Sequence, residues 1–336
     1  MSRSLITLAA LSIAVATPFI SLQAQAVQRT HVSAAFGSDA NTATNCAAAA
    51  PCRFFTAAMS VTNPNGEVIV LDSGGYGAVT ITQSVALIAP TGVYAGISVF
   101  PGADGVTIAT AGVNVVLRGL SINGQGGNSG IYMTAGNRLT VENCVISNLG
   151  QYGISVNTAA TVRVTDSIVR DNGASGITLQ NGVKATITRA VVSGNVGNVG
   201  IFLVGNTPST STVDIADSTV DGNFYGIYAR STVSTAILKL SVRDSRILRN
   251  LSVGLGVESN AGAAASLYAS NNMVSNNRDG LFVYGAAAKV ISTGNTVTGN
   301  TRAGFYAAGV FESAGNNTVR DNGAANVGTI TVIAAQ

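Results

Sequence analysis

Beyond residue 65 the chain is written in short runs where apolar and polar residues alternate, each closed by Gly, Asn, Asp or Ser. Alternation at period two marks a half-buried strand, and the closing residues mark turns. In the segment that begins at Gly130, Ile131 and Met133 flank Tyr132, Leu139 and Val141 alternate with Thr140 and Glu142, and Cys144 and Ile146 flank Val145. That is three short strands in one unit, and the unit recurs. Gly130, Gly153, Gly176, Gly200, Gly226, Gly254, Gly280 and Gly304 follow at steps of 23, 23, 24, 26, 28, 26 and 24 residues, each followed by an aliphatic or aromatic residue. Inward columns repeat with them: Ile154, Ile177, Ile201, Ile227, Leu255, Leu281 and Phe305 at one site, and Val169, Val192, Val220, Ile247, Val274, Val297 and Val319 at another. A fixed period of this length predicts a solenoid in which like residues stack to fill a narrow core.

The turns carry a pattern of their own. Asn143, Asp166, Asp217, Asp244, Asn271, Gly294 and Asn316 precede the third strand, and Asn148, Asn172, Asn195, Asn223, Asn250, Asn277, Asn300 and Asn322 precede the next glycine. Asn and Asp tolerate left-handed backbone and bond to neighbouring turns through short side chains, and stacked amides pair between coils. These residues are therefore expected to be structural.

With about two dozen residues per turn and three strands, repeats such as Gly-Ile-Ser-Val followed by Val-Arg-Val-Thr-Asp-Ser-Ile-Val-Arg-Asp-Asn at 153 to 172 are similar to the right-handed parallel β-helix of the pectate-lyase-like (pectin-lyase-like) superfamily. The resemblance covers residues 65 to 336 and implies an all-β fold. A leucine-rich repeat would need a Leu-x-x-Leu-x-Leu spacing that is missing. Earlier runs, 67 to 71, 79 to 81, 85 to 88, 96 to 100, 105 to 108 and 113 to 117, read as strands outside the later register. Before them Cys52 to Met59 is the best helical stretch, with Phe55, Ala58 and Met59 on one face, and is expected to cap the first coil. The region from His31 to Cys52 and the run Glu67 to Gly77 look like the leading part of secreted bacterial β-helix proteins of unassigned role. At the other end residues 328 to 333 read as one further strand, which leaves an edge open to another chain.

Composition sharpens this picture. Only 10% of the 336 residues are charged, 46% are hydrophobic, and there are 39 glycines and no tryptophan, as suits a thin wall of small apolar residues. Lys and Arg number 18 against 15 Asp and Glu. No basic run appears that would follow a phosphate backbone, so nucleic acid is not an expected partner. No apolar stretch after the first 25 residues has the length of a membrane span. The opening segment has a positive start at Arg3, an apolar run from Leu5 to Ala16, a break at Pro18 and a small-residue site at Ala24-Gln25-Ala26. It reads as a signal peptide over 1–26, with a cap region over 27–64 and the β-helix over 65–336. The protein is thus expected to be secreted, whether periplasmic, cell-surface or extracellular. A disulfide between Cys46 and Cys52 and a buried free Cys144 follow from that compartment. His31 is the single histidine, which removes a Cys/His zinc site.

Enzymes of the superfamily cleave or epimerise acidic polysaccharides, and the resemblance implies what they would need. A lyase needs carboxylates around calcium and an Arg or Lys to abstract a proton. Asp214, Asp217 and Asp221 are close in sequence but fall on different walls, which favours a solvated or salt-bridged surface. Facing carboxylates with a Gly-His-Gly motif, as in a polygalacturonase-like hydrolase, and the Asp-Pro-His-Asp of an epimerase are both absent. Arg230 and Glu258 occupy equivalent outward positions on adjacent coils and are the weak catalytic candidates; a plain surface pair is the competing reading. Gln180 and Asn157 share their column. Two residues after each glycine come Tyr132, Ser155, Thr178, Phe202, Tyr228, Gly256, Phe282 and Tyr306. The five aromatics suit either the apolar faces of sugars or a ladder of rings stacked on one another. No phosphate loop, nucleophile triad, metal set or cofactor signature is present. The leading reading is a secreted, non-catalytic interaction module touching polysaccharide or a cell-surface glycan along the first wall. Its alternatives are a lyase acting on uronic-acid polymers and an adhesin-like rod that self-associates through the C-terminal strand edge.

Overall fold

The computed structural model describes residues 27–260 and 262–334; the leader read over 1–26 lies outside them. The chain winds as a parallel β-solenoid with three walls, and every strand pairing is parallel. The first wall runs from Val79–Ile81 through Ile131–Met133 and Tyr225–Ser231 to Asn326–Gly328. The second runs from Val27–Val32 through Arg138–Glu142 to Thr331–Val332, and the third is an 11-stranded sheet from Gly74–Gly75 to Thr318–Arg320. Late in the chain the first corner straightens, so that Asp279–Thr293 and Ala303–Ser313 each pass through both walls as one bent strand.

The columns inferred from alternation form the core. Ile131, Ile154, Ile177, Ile201, Ile227, Leu255 and Leu281 stack in register and are buried, as are Val169, Val192, Val220, Ile247, Val274 and Val297 on the third wall. Each such side chain stabilises the fold by about 1.5–3 kcal/mol through loss of apolar surface to water.

The glycine register has a steric cause. A Cβ at Gly176 would lie 2.6 Å from Val192 Cγ1, 2.7 Å from the Gly200 carbonyl oxygen and 2.9 Å from Asn195 Nδ2. Backbone, third-wall valine and buried amide converge there, so the corner closes only without a side chain. Gly105 meets the same crowding, 2.6 Å from the Gly130 oxygen, and extends the register one coil earlier than the sequence pattern indicates.

The turn residues divide into two kinds. Asn143, Asp166, Asp217, Asp244 and Asn271 have φ between 51° and 54°, so their left-handed backbone explains their type. Beside them Asn172, Asn195, Asn223, Asn250, Asn277, Asn300 and Asn322 form a ladder. Each Oδ1 accepts the backbone N–H of the preceding coil, and down to Asn300 each Nδ2 donates to the next Oδ1, as in Asn223 to Asn250 at 3.0 Å for both bonds. Asn148 does not belong to this ladder: it takes the left-handed position at φ 60°, and Leu149 fills the buried column. A second ladder lines the other corner, where Ser218, Ser245, Asn272, Asn295 and Asn317 accept amide protons from coil to coil.

The helix forms over Phe55–Val61 and buries Phe55, Ala58 and Met59, the face read from sequence. It starts later than Cys52 because that residue is held extended, bridged to Val32 and disulfide-bonded to Cys46. Cys144 is free and buried; burial pushes its thiol up to about 11. Residues 328 to 333 do not make one strand. They turn at Gly328, φ 85°, between the short strands Asn326–Gly328 and Thr331–Val332.

Candidate functional site

The outward face of the first wall holds the residues singled out in sequence. Between Val199 and Tyr306 it carries a hydrophobic cluster outside the solenoid core, built by Val199, Phe202, Tyr228 and Val253 with Val204, Tyr225 and Phe282 against them. The ring centroids of Phe202 and Tyr228 are 6.5 Å apart, those of Tyr228 and Phe282 6.2 Å, and those of Phe282 and Tyr306 5.1 Å with planes 13° from parallel. Tyr228 reaches Phe282 across an intervening coil because that coil has Gly256 in the column: a Cβ there would lie 2.5 Å from Tyr228 Cε2. Tyr132 stands apart, separated from the cluster by Ser155 and Thr178.

The rings point outward as the register requires, but they are not all solvent-facing as alternation alone suggests. Phe202 and Tyr228 keep only 8% and 7% of their surface, covered by Val199, Tyr225 and Val253 from the position just before each glycine. That apolar position, one residue before the register glycine, is itself visible in the sequence at Val199, Tyr225 and Val253. Exposure grows toward the C-terminal end, where Phe282 and Tyr306 are half-buried and Tyr284, 6.5 Å from Phe282, is 49% exposed.

Arg230 and Glu258 are register partners on adjacent strands, yet they form no salt bridge. The Arg230 guanidinium lies 5.4 Å from the centre of the Phe202 ring, a cation–π contact. Glu258 accepts from the Tyr228 hydroxyl at 2.8 Å and from Asn260 Nδ2 at 2.9 Å. Burial, and then the bond to Glu258, push the Tyr228 hydroxyl above the usual phenol range. A pair the sequence does not announce closes the other flank: Arg302 grips the buried Asp279 carboxylate through Nε at 2.6 Å and Nη2 at 2.5 Å, and its guanidinium lies over the Tyr306 ring at 4.2 Å. The hydrogen bond to Asp279 raises the Arg302 pKa.

The three nearby aspartates separate. Asp214 is outward on the second wall, Asp217 holds a left-handed turn, and Asp221 on the third wall pairs with Arg249. Among the described residues no three His, Cys, Asp or Glu converge, so the donor set does not fit a calcium site. Along the first-wall edge, Asn157, Gln180, Val204, Arg230, Glu258 and Tyr284 take equivalent positions on successive coils. All but Val204 end in a planar hydrogen-bonding group.

The sequence profile of the family described as "Right handed beta helix region" matches residues 61–214 and 236–324. Among solved structures, pectate lyase Pel9A superposes with a TM-score of 0.61 at 16% identity, over 89% of this chain and 80% of that one. Full-length tailspike protein 2 of Escherichia coli O157:H7 bacteriophage CAB120 gives a TM-score of 0.42 at 13% identity, over 68% of this chain and 38% of that one. No curated protein matches in sequence.

Proposed function

The chain belongs to the right-handed β-helix family, and from that premise we propose that it is an exported, non-catalytic module that holds a polysaccharide or cell-surface glycan along its first wall. The observation that carries this reading is the aromatic ladder, whose more exposed end, Phe282, Tyr284 and Tyr306, adjoins the planar polar groups of Glu258 and, one coil further, Arg230. Sugars present apolar ring faces bordered by hydroxyls; aromatic rings take the first and planar donors and acceptors the second. Export is supported by the Cys46–Cys52 disulfide, a bond that persists in oxidising compartments, and by the apolar leader. Likeness to a pectate lyase contributes the architecture, and function rests on the site.

The engagement of Arg230 with a ring, and of Glu258 with two donors, supports binding over turnover. One contact favours a lyase instead: the Tyr228 hydroxyl bonded to Glu258 with Arg230 on the same coil. In that case Arg230→Ala would abolish formation of unsaturated sugar ends. The rod reading rests on Val327 and Val332, exposed on the last coil; it requires concentration-dependent oligomers that disappear when residues 326–336 are deleted. For the binding reading, replacing Phe282, Tyr284 and Tyr306 together by alanine is expected to weaken retention in affinity gels of neutral polysaccharides about tenfold or more, at about 0.5–1.5 kcal/mol of contact per ring. Unchanged retention in the triple variant would remove the first wall as the contact surface.

A further inference from the structure

The second wall carries a feature that the aromatic face does not explain. In one outward column of its strands the residues run Asn114, Arg138, Thr161, Lys184, Thr212, Lys239 and Ser266. A cation thus stands on every second coil, about 9.6 Å from the next, with a hydroxyl between. Arg138, Lys184 and Lys239 are exposed and form no salt bridge among the described residues. Lys289, the next in the series, is neutralised by Glu312 at 2.8 Å, which ends the file. Arg163 in the neighbouring column adds a charge at the N-terminal half, and its Nε donates to Thr165 Oγ1 at 3.3 Å. Two hollows lie along the file. One of about 420 Å³ is bordered by Arg138, Arg163 and Thr186, and one of about 200 Å³ by Asp214, Lys239 and Tyr268.

We infer that this wall binds a linear acidic glycan bearing one carboxylate per disaccharide, laid parallel to the solenoid axis. A pyranose chain advances by about one strand spacing per sugar, so a polymer in register with the coils meets Arg138, Lys184 and Lys239 at alternate sugars. Asp214 sets the selectivity. It lies in the next outward column, two residues along the strand from Thr212 on the coil between Lys184 and Lys239, so a polymer charged at every sugar would bring a carboxylate near it. An alternating polymer places its neutral sugar there, with the exposed Tyr268 ring available to an apolar face two coils further on. Complementary and repulsive groups together make the preference.

The test is affinity electrophoresis of the full chain in gels containing hyaluronan, in which glucuronate alternates with a neutral amino sugar, polygalacturonate, which is charged at every sugar, or dextran. Hyaluronan is expected to retard the protein most, with retardation falling as salt rises. The variant carrying Arg138→Gln, Lys184→Gln and Lys239→Gln is expected to bind it about tenfold or more weakly. These side chains are exposed, and an unchanged melting temperature confirms that the variant folds. Asp214→Asn is expected to improve retention on polygalacturonate, and alanine at Phe282, Tyr284 and Tyr306 to leave hyaluronan binding unchanged. Absence of retardation by hyaluronan, or equal retardation of the charge variant, overturns the proposal. So does tighter binding of polygalacturonate that Asp214→Asn does not alter, and so does loss of hyaluronan binding in the first-wall variant, which would assign the glycan to the aromatic face.

Discussion

An asparagine buried between two coils serves both of them, and this fixes what its removal does. Asn250 accepts the Asn223 backbone N–H and the Asn223 side-chain amide at 3.0 Å each. In Asn250→Ala the buried Asn223 backbone N–H loses its acceptor, at a cost of about 1–3 kcal/mol, while Asn223 Nδ2 keeps the Val192 and Asp221 carbonyls. The urea midpoint is expected to fall with the slope unchanged, whereas Asn148→Gly, at a left-handed position outside the ladder, should be nearly neutral. Gly256→Ala tests the aromatic face at the same scale. Its new Cβ would sit 2.5 Å from the Tyr228 ring, displacing it from Glu258 and costing about 1–3 kcal/mol; the near-ultraviolet circular dichroism of the tyrosines should change with it. Sequence showed Gly256 as a gap in a column of rings. It did not show that the gap lets Tyr228 lean toward Phe282, because ring tilt depends on neighbours in three coils at once.

Among the elements, the leading segment is the least repetitive and the most dependent on specific bonds. Burial alone would raise the Asp72 carboxyl, but hydrogen bonds from Ser33 Oγ, Tyr76 Oη and the Ala34 and Ala35 amides outweigh it and bring it down from 3.8 to about 2. A folded pKa below the unfolded value contributes stability that is fully present above 3.8 and lost as pH falls through about 2. Melting temperatures taken from pH 5 downward should therefore drop over that interval in the wild type, and Asp72→Asn should flatten this part of the profile. The helix was legible as far as its buried face, because Phe55, Ala58 and Met59 have helical spacing. Its start was not, since the disulfide and the bridge from Cys52 to Val32 set it. The strand Val27–Val32 is hard to read in the sequence: its alternation is short, and the strand it pairs with, Thr62–Val70, lies more than thirty residues on. The C-terminal run looked like one strand because the corner at Gly328 is visible only in its φ.

At the scale of the whole molecule, repetition made the architecture readable and left the function to what departs from it. Three walls, the core columns and the glycine corner all follow from residues that recur coil after coil, since each strand pairs and packs in the core with the coils next to it. The candidate contact surfaces depend on residues that do not recur: rings present in five of eight coils, a lone Arg230 and Glu258, and cations on alternate strands. A periodic reading finds such residues but cannot tell which cover one another, and so the sequence indicated a ladder of aromatics without showing that Phe202 and Tyr228 lie beneath their neighbours. On the function proposed above, this β-helix holds a glycan without transforming it. The most direct measurement incubates the protein with uronic-acid and neutral polysaccharides, following the absorbance of unsaturated ends while retardation is recorded in gels of the same polymers. Retardation by at least one polymer with no rise in absorbance is the predicted result; accumulation of unsaturated product, or no retardation by any polymer, would contradict it.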